Sequence, residues 1–461
     1  MKKTILVKIG LLLIIGCMTV GMAYGATGKG VITEEVFIKE LLQLGLGKYT
    51  NLSGDDLPLT RERAAVLIVN GLGYEGISKE LVNRFKDVVD YKGEINLVYE
   101  LGLLGNTGNG TFSPKQTVSY DTAQIILQRL ANKLNSKTNW SHVCYAIQSS
   151  SQMEQIKNYN AVSFGWAELK VSEIDGSFVL STDNSVSDFK VPLGFEKPID
   201  FAKANGVETY LMVYLENKGE SAYKFLTNEK QRAKLITELI QLVSGITKDE
   251  KTRGFDGLTI DFEQFKSEKL KAPYVTFLKE LKAELKKINK KLNVAVQPTL
   301  YFKGYDYKGI GEAADHVILM AHDYAAKSLS PLEQESGVCM TPVTPINKVY
   351  TSLKEASEAI ADKNKIVLQI SFDSRQWQLK DNGVIHSTAY TPSYDKIEAR
   401  LKANGTNIFY DTTYQNPYAH YTQDGIKNVM WYENQRSIEA KITLAKLLGI
   451  TNTSYWRLGI I

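Results

Sequence analysis

The chain has 461 residues, 43% of them hydrophobic, and a formal net charge of +4. That apolar share can bury a sizeable core and excludes wholesale disorder, while so mild and evenly spread a charge leaves no electrostatic footprint for nucleic acid. The length suits an enzyme core of about 250–320 residues with a smaller module beside it.

Lys2 and Lys3 open the chain, an apolar run follows from Ile9 to Ala23, and small residues come next at Ala23-Tyr24-Gly25-Ala26. This is the layout of a secretory signal peptide over residues 1–25, and it predicts export. The run is shorter than the about 20 residues that span a bilayer comfortably, and Lys8 interrupts its start, so no stable span is expected after processing. An uncleaved anchor, or lipidation at Cys17 within Ile14-Ile15-Gly16-Cys17, is the alternative. Cleavage leaves Cys144 and Cys339, too few for a disulfide framework. Cys144 lies in the apolar run VCYAI and reads as a buried, inert thiol.

Residues 33–133 read as two helical units with a period of about 50 residues. The first has an apolar helix from Val36 to Leu46, a polar loop, and a second helix opened by Leu59-Thr60-Arg61-Glu62. The second starts at Arg84-Phe85-Lys86-Asp87-Val88, continues with a helix near Ile95–Leu104 and the loop Gly110-Thr111-Phe112-Ser113-Pro114, and closes with a helix from Asp121 to Leu134. These units resemble S-layer homology repeats, which tether bacterial exoproteins to cell-wall polymer. The resemblance rests on FKDV, ELGLLGNTGNGTFSPKQTVS and LTRERAAVLI. It implies wall binding through Arg61, whose guanidinium can fork onto acidic groups. The second unit has Ser119-Tyr120 where the first has Thr60-Arg61. A plain helical cap is the alternative. As a tether, the module should be dispensable for chemistry.

Residues 134–141 (134–139 of them LNSKTN) read as a linker. Apolar strands then alternate with amphipathic helices, the pattern of a parallel sheet or barrel. Strands are predicted near His142–Ile147, Ala161–Trp166, Glu208–Tyr214, Gly254–Phe262, Leu292–Gln297, His316–Met320, Lys365–Phe372 and Ser454–Leu458, and eight is the number for a (β/α)8 barrel over residues 142–461. A doubly wound sheet is the alternative, but no glycine-rich phosphate loop follows the first strand. Residues 378–430 are too long for a simple connection, and read as a small α+β insertion with a helix over Tyr394–Lys402.

The fourth strand ends in DGLTIDFE, Asp256 to Glu263. Side chains alternate along a strand, so Thr259, Asp261 and Glu263 share one face, which in a barrel is the lumen, and Glu263 falls at the C-terminal mouth. Two carboxylates stacked in an apolar strand are costly unless used, and their crowding should keep one protonated. A proton held there can be delivered to a leaving glycosidic oxygen. A solvated Asp-x-Glu at a strand end is the plain alternative. Trp166, Tyr214, Gln297 and Met320 near other strand ends, with Asp256 and the insertion's Trp377, are further candidates for touching substrate. The five histidines show no ligand spacing, so neither a metal nor another cofactor is expected.

From about Ser141 to Ile461 the chain resembles glycoside hydrolase family 18, whose fourth-strand motif is DGxDxDxE. LMAHDY (Leu319 to Tyr324) stands against the family's Met-x-Tyr-Asp, and VMWYENQRSIEAKITLAKLLGI then SYWRLG supply the last-strand tryptophan, Trp456. The ending and the insertion look most like the branch of spore-cortex lytic enzymes, which cut peptidoglycan. The resemblance implies a retaining mechanism in which the sugar's own N-acetyl oxygen attacks the anomeric carbon. Glu263 would be acid and then base, Asp261 would orient the acetamido group with support from Asp323, and Trp456 would floor the distorted sugar. Its partners would be an N-acetylhexosamine polysaccharide and a wall polymer. Two positions depart: Thr259 replaces the middle aspartate, and His322 replaces the tyrosine that bonds the acetamido oxygen. A neutral His322 could donate that bond, which would make activity fall as the ring gains charge near its ordinary pKa of about 6.5. A non-catalytic wall lectin on the same barrel is the alternative function.

Overall fold

The computed structural model describes residues 30–183, 188–325, 328–332, 342–381, 388–389 and 391–459. The leader with Cys17, and also Cys339 and His386, lie outside these residues.

Eight strands close a barrel in which every neighbouring pair is parallel: Ser141–Tyr145, Ala161–Val171, Glu208–Glu216, Gly257–Glu263, Lys291–Val296, His316–Leu319, Ile366–Ser371 and Asn452–Trp456. The eighth pairs with the first, and the first with the second, so the ring has no edge. Parallel strands covered by helices are buried on both faces, which is why they read as apolar runs. The seventh strand is buried throughout, as is the fourth up to Phe262.

Beyond the seventh strand the chain forms an antiparallel sheet. Its strands lie in the order Arg375–Leu379, Ile426–Trp431, Asn416–Gln423, Asn407–Asp411, and a helix over Tyr394–Lys402 precedes the last three in sequence. It stands on the rim of the barrel mouth, from which the seventh strand feeds it. The helix that follows, Gln435–Leu447, is fastened to this sheet by a buried Lys441–Glu433 pair at 2.9 Å, with Asn416 also bonded to Glu433.

In the N-terminal unit, Thr33, Thr60 and Ser119 each accept a backbone N–H three residues on, capping the helices Glu34–Gln43, Arg61–Leu72 and Tyr120–Leu134. Thr60 and Ser119 thus share a capping role, although only one precedes an arginine. Arg61 is half-buried and bonded within the unit. Its Nε donates to the Phe112 carbonyl at 2.8 Å and its Nη2 to that of Gly105 at 2.6 Å, with the guanidinium over the Phe112 ring. It stitches the first unit to the loop of the second.

The expected linker is also not loose. Asn139 bonds Asn364 and Thr451, the Trp140 amide donates to Asn452, and the Trp140 ring stacks on His316 at 3.9 Å. One hydrophobic core runs from Ile32 in the helical unit to Leu458 in the barrel. The unit is docked on the helices Ile346–Ala359 and Gln435–Leu447, which lead into the seventh and eighth strands. Its boundary is therefore a packed interface.

Candidate active site

Alternation along the fourth strand sorts its residues. Leu258, Ile260 and Phe262 are fully buried on the helix side, where Phe262 stacks on Phe277 at 5.8 Å. Thr259, Asp261 and Glu263 face a lumen cavity of about 210 Å³ that Tyr214, Met320, His322 and Trp456 also line. These residues come from the third, fourth, sixth and eighth strands and their C-terminal extensions, and so converge on the barrel mouth.

Asp261 is 5% exposed, and its Oδ1 has no hydrogen-bond partner among the described residues. Burial and then the charge of Glu263 hold its carboxyl well above the usual range, against an opposing pull from His322. Of the two carboxyls it is thus Asp261 whose surroundings favour keeping a proton, through burial first and crowding by Glu263 second. Glu263 is half-buried at the strand end and accepts from Gln297 Nε2 at 3.2 Å. Gln297 is fixed in turn, because its Oε1 accepts the Gln264 amide at 2.6 Å. Tyr214 is paired in register with Asp261 and lies flat on Phe189 at 4.4 Å; burial and the charges of Glu263 and Asp261 raise its pKa.

The sixth strand delivers His322 and Asp323. The backbone of Asp323 is left-handed at φ 59°, sparsely populated for a non-glycine residue. The two nitrogens of His322 are both engaged, Nδ1 with Asp323 Oδ2 at 2.9 Å and Nε2 with Gln369 Oε1 at 3.0 Å. Burial would lower its pKa, but the charge and hydrogen bond of Asp323, the Gln369 bond and the charge of Asp373 together push it up to about 9. This corrects the sequence expectation. His322 is an imidazolium at neutral pH, has no N–H left for an acetamido oxygen, and holds Asp323 instead.

A linkage follows. A histidine whose folded pKa lies above its unfolded value near 6.5 contributes stability that is complete below that value and lost as pH rises through about 9. We expect His322→Gln, which keeps a donor but cannot titrate, to remove a pH-dependent contribution on the order of 3 kcal/mol. Denaturant unfolding of both proteins at pH 6 and at about pH 9.5 checks this: the gap should close on the alkaline side, and a gap independent of pH would contradict it.

Three other candidates lie elsewhere. Trp166 is fully buried among Phe164, Tyr145 and Phe195, on the strand face opposite the lumen-facing Ser163. Trp377 is 1% exposed and packs with Val429 inside the insertion. Asp256 precedes the fourth strand at the barrel's opposite end, where its Oδ2 takes both the amide and the hydroxyl of Thr209 at 2.9 Å. Gln369, Asp373 and Cys144 join the site without having been singled out for it. Gln369 and Cys144 line the cavity, and Asp373 adds charge near His322. No group of three or more His, Cys, Asp or Glu side chains among the described residues is arranged to hold a metal ion.

Paired lumen carboxylates at a barrel mouth, beside an indole, are the kind of groups that cleavage of a glycosidic bond uses. The profile of glycosyl hydrolases family 18 matches residues 141–459, and the chain belongs to that family. An S-layer homology domain profile matches residues 84–123, which indicates association with the cell surface. The cortical fragment-lytic enzyme of Bacillus subtilis is 27% identical over 263 residues, 55% of this chain and 57% of that one. A probable endochitinase of Caenorhabditis elegans is 24% identical, over 45% of this chain and 37% of its own length. The chain spans about half the length of the bacterial curated relatives it matches. In fold it is similar to the Bacillus cereus spore cortex-lytic enzyme SleL, with a TM-score of 0.55 at 21% identity over 71% of this chain and 72% of that one. A Chromobacterium violaceum chitinase gives a TM-score of 0.55 at 19% identity over 70% and 94%.

Proposed function

We propose that this glycosidase is exported and cleaves β-1,4 bonds beside N-acetylhexosamine residues in peptidoglycan or a chitin-like glycan, by a retaining, substrate-assisted mechanism. The observation that carries the reading is the stack of Asp261 and Glu263 on the lumen face of the fourth strand, in a cavity that Trp456 borders. Glu263, at the wetter end of the pair, protonates the leaving oxygen and later takes a proton from water. Asp261 is buried beside Glu263; on substrate binding the proton it holds passes to Glu263 for delivery to the leaving oxygen, and the Asp261 carboxylate that remains steadies the positive charge that develops when the acetamido oxygen attacks. A second carboxylate nucleophile is not needed, because the substrate supplies its own. Trp456 offers a flat apolar face to the sugar's C–H face. The similarity to a cortical fragment-lytic enzyme and to a probable endochitinase supports this substrate class.

The test is incubation of the full chain with purified vegetative peptidoglycan, spore cortex and chitin, followed by analysis of the fragments. New reducing-end N-acetylhexosamine, released first as the β-anomer, is expected from at least one of them. Tight binding to a glycan without new reducing ends would replace the enzyme reading with that of a wall lectin.

A further inference from the structure

Most of the barrel strands carry a polar residue in their apolar interiors, and several of these residues touch. The Gln369 amide Nε2 lies 3.2 Å from Ser454 Oγ, and Ser454 Oγ lies 2.8 Å from His142 Nδ1. His142 Nε2 lies 2.7 Å from Ser163 Oγ, which lies 2.7 Å from Thr259 Oγ1. With His322 on the other side of Gln369, the file crosses the barrel from the sixth strand to the fourth, through residues that are all less than a tenth exposed.

Donor and acceptor counting, with each buried hydroxyl hydrogen used within the file, gives every link one direction. The Gln369 oxygen and the Asp323 carboxylate can only accept, so both His322 nitrogens carry hydrogen. Ser454 accepts from Gln369, so its single hydrogen goes to His142 Nδ1. His142 is fully buried, and burial, helped by His316, pushes its pKa down to about 3; it is neutral and keeps its one hydrogen on Nε2, for Ser163. Ser163 then donates to Thr259, and Thr259 is left with a hydrogen of its own on the face it shares with Asp261.

We propose that this file is a directional hydrogen-bond relay that joins the two walls of the active site, and that Gln369 and Ser454 are positioning residues for the reaction, acting through His322 on Asp323 and through His142 and Ser163 on Thr259. The charged groups that set its His322 end are Asp323, Asp373 and Asp261, with Arg375 3.9 Å from Asp323. Loss of the relay leaves the carboxylates in place but frees the rotor that holds Asp323. The effect therefore falls on turnover more than on glycan binding.

The experiment is nitrogen-15 NMR of the full chain labelled at histidine, with His142 assigned by substituting the other four of the five histidines in turn. The wild type should show His142 neutral with hydrogen on Nε2, and His322 doubly protonated at pH 7. In Gln369→Glu the new carboxylate can only accept, so Ser454 turns and His142 should switch its hydrogen to Nδ1, two links away. In Ser454→Ala the His322 titration should fall by about one pH unit, and kcat on soluble N-acetylglucosamine oligomers should fall up to about tenfold with KM kept, the equivalent of one neutral hydrogen bond. Ser454→Thr, which keeps the hydroxyl, should recover most of that rate. A neutral His322 in the wild type at pH 7, or an unchanged His142 tautomer in Gln369→Glu, overturns the relay. Should Gln369→Glu not fold, an unmoved His322 titration and unchanged kcat in Ser454→Ala overturn it as well. The tautomer readings need no substrate, so they stand apart from the choice of glycan.

Discussion

Glu263→Gln should abolish hydrolysis while glycan binding survives. The amide fills the same volume, and its oxygen can still accept from Gln297 Nε2, so the strand end keeps its packing. What it cannot do is deliver a proton to a leaving oxygen or take one from water. Loss of general acid catalysis costs about 10²–10⁴-fold, whereas the stacking and apolar contacts of Trp456 and Met320 with a sugar are untouched. The same substitution removes the neighbouring charge that helps hold Asp261 protonated, so Asp261 should titrate at lower pH in the variant. Initial rates on soluble oligosaccharides and calorimetric binding to the same compounds separate the two effects. A variant that keeps more than a few per cent of the wild-type rate would take the acid role away from Glu263. Lost binding with normal folding would mean that the carboxylate serves recognition as well.

Much of the barrel was legible because its physics is periodic. Strands covered on both faces leave apolar runs bounded by polar turns, and the alternation of DGLTIDFE places its carboxylates on one face without further information. What stayed hidden depends on contacts across the fold. Trp166 lies within the strand Ala161–Val171 and shares the face of Phe164, opposite the lumen-facing Ser163, so it packs into the core. Trp377 and Arg61 belong to types that often bind ligands, and only the sheet over one and the carbonyls around the other show that each is used internally. The polar relay did leave a signal. SHVCY, AVSFGW, GLTID, IVLQIS and NTSYW each contain a polar residue inside an apolar strand, a costly placement unless the partners lie on neighbouring strands. Sequence order separates His142 from Ser454 by nearly the whole barrel, and it is closure of the ring that makes them neighbours.

The packing of the helical unit against the barrel, which the sequence did not show, changes what truncation should do. As a tether, residues up to 135 could be removed without consequence for turnover. In the structure Tyr74 is fully buried and its hydroxyl donates to the Ala440 carbonyl at 2.8 Å, while Gln415 donates to the Gly73 carbonyl at 2.7 Å. Lys133 caps the Leu447 carbonyl at 2.7 Å, and Glu100 takes both Lys354, at 2.8 Å, and the Tyr350 hydroxyl. Apart from Gln415, in a turn of the insertion, these partners sit on the helices that lead into the seventh and eighth strands, which supply Gln369 and Trp456. Burying one large side chain is worth about 1.5–3 kcal/mol, and stranding a buried polar group costs about 1–3 kcal/mol. Several such losses together should lower the melting temperature of the isolated barrel by about 10 °C or more and reduce its turnover on soluble oligosaccharides, besides releasing it from cell walls. A point change in the full chain makes the same test without exposing the whole interface. A Cβ at Gly76 would stand 1.9 Å from the backbone oxygen of Thr413, so Gly76→Val must pry the unit from the insertion. It should lower the melting temperature in the same direction. If both the truncated barrel and Gly76→Val melt with the wild type, and the barrel turns over soluble substrate at the full rate, the interface contributes nothing to the barrel.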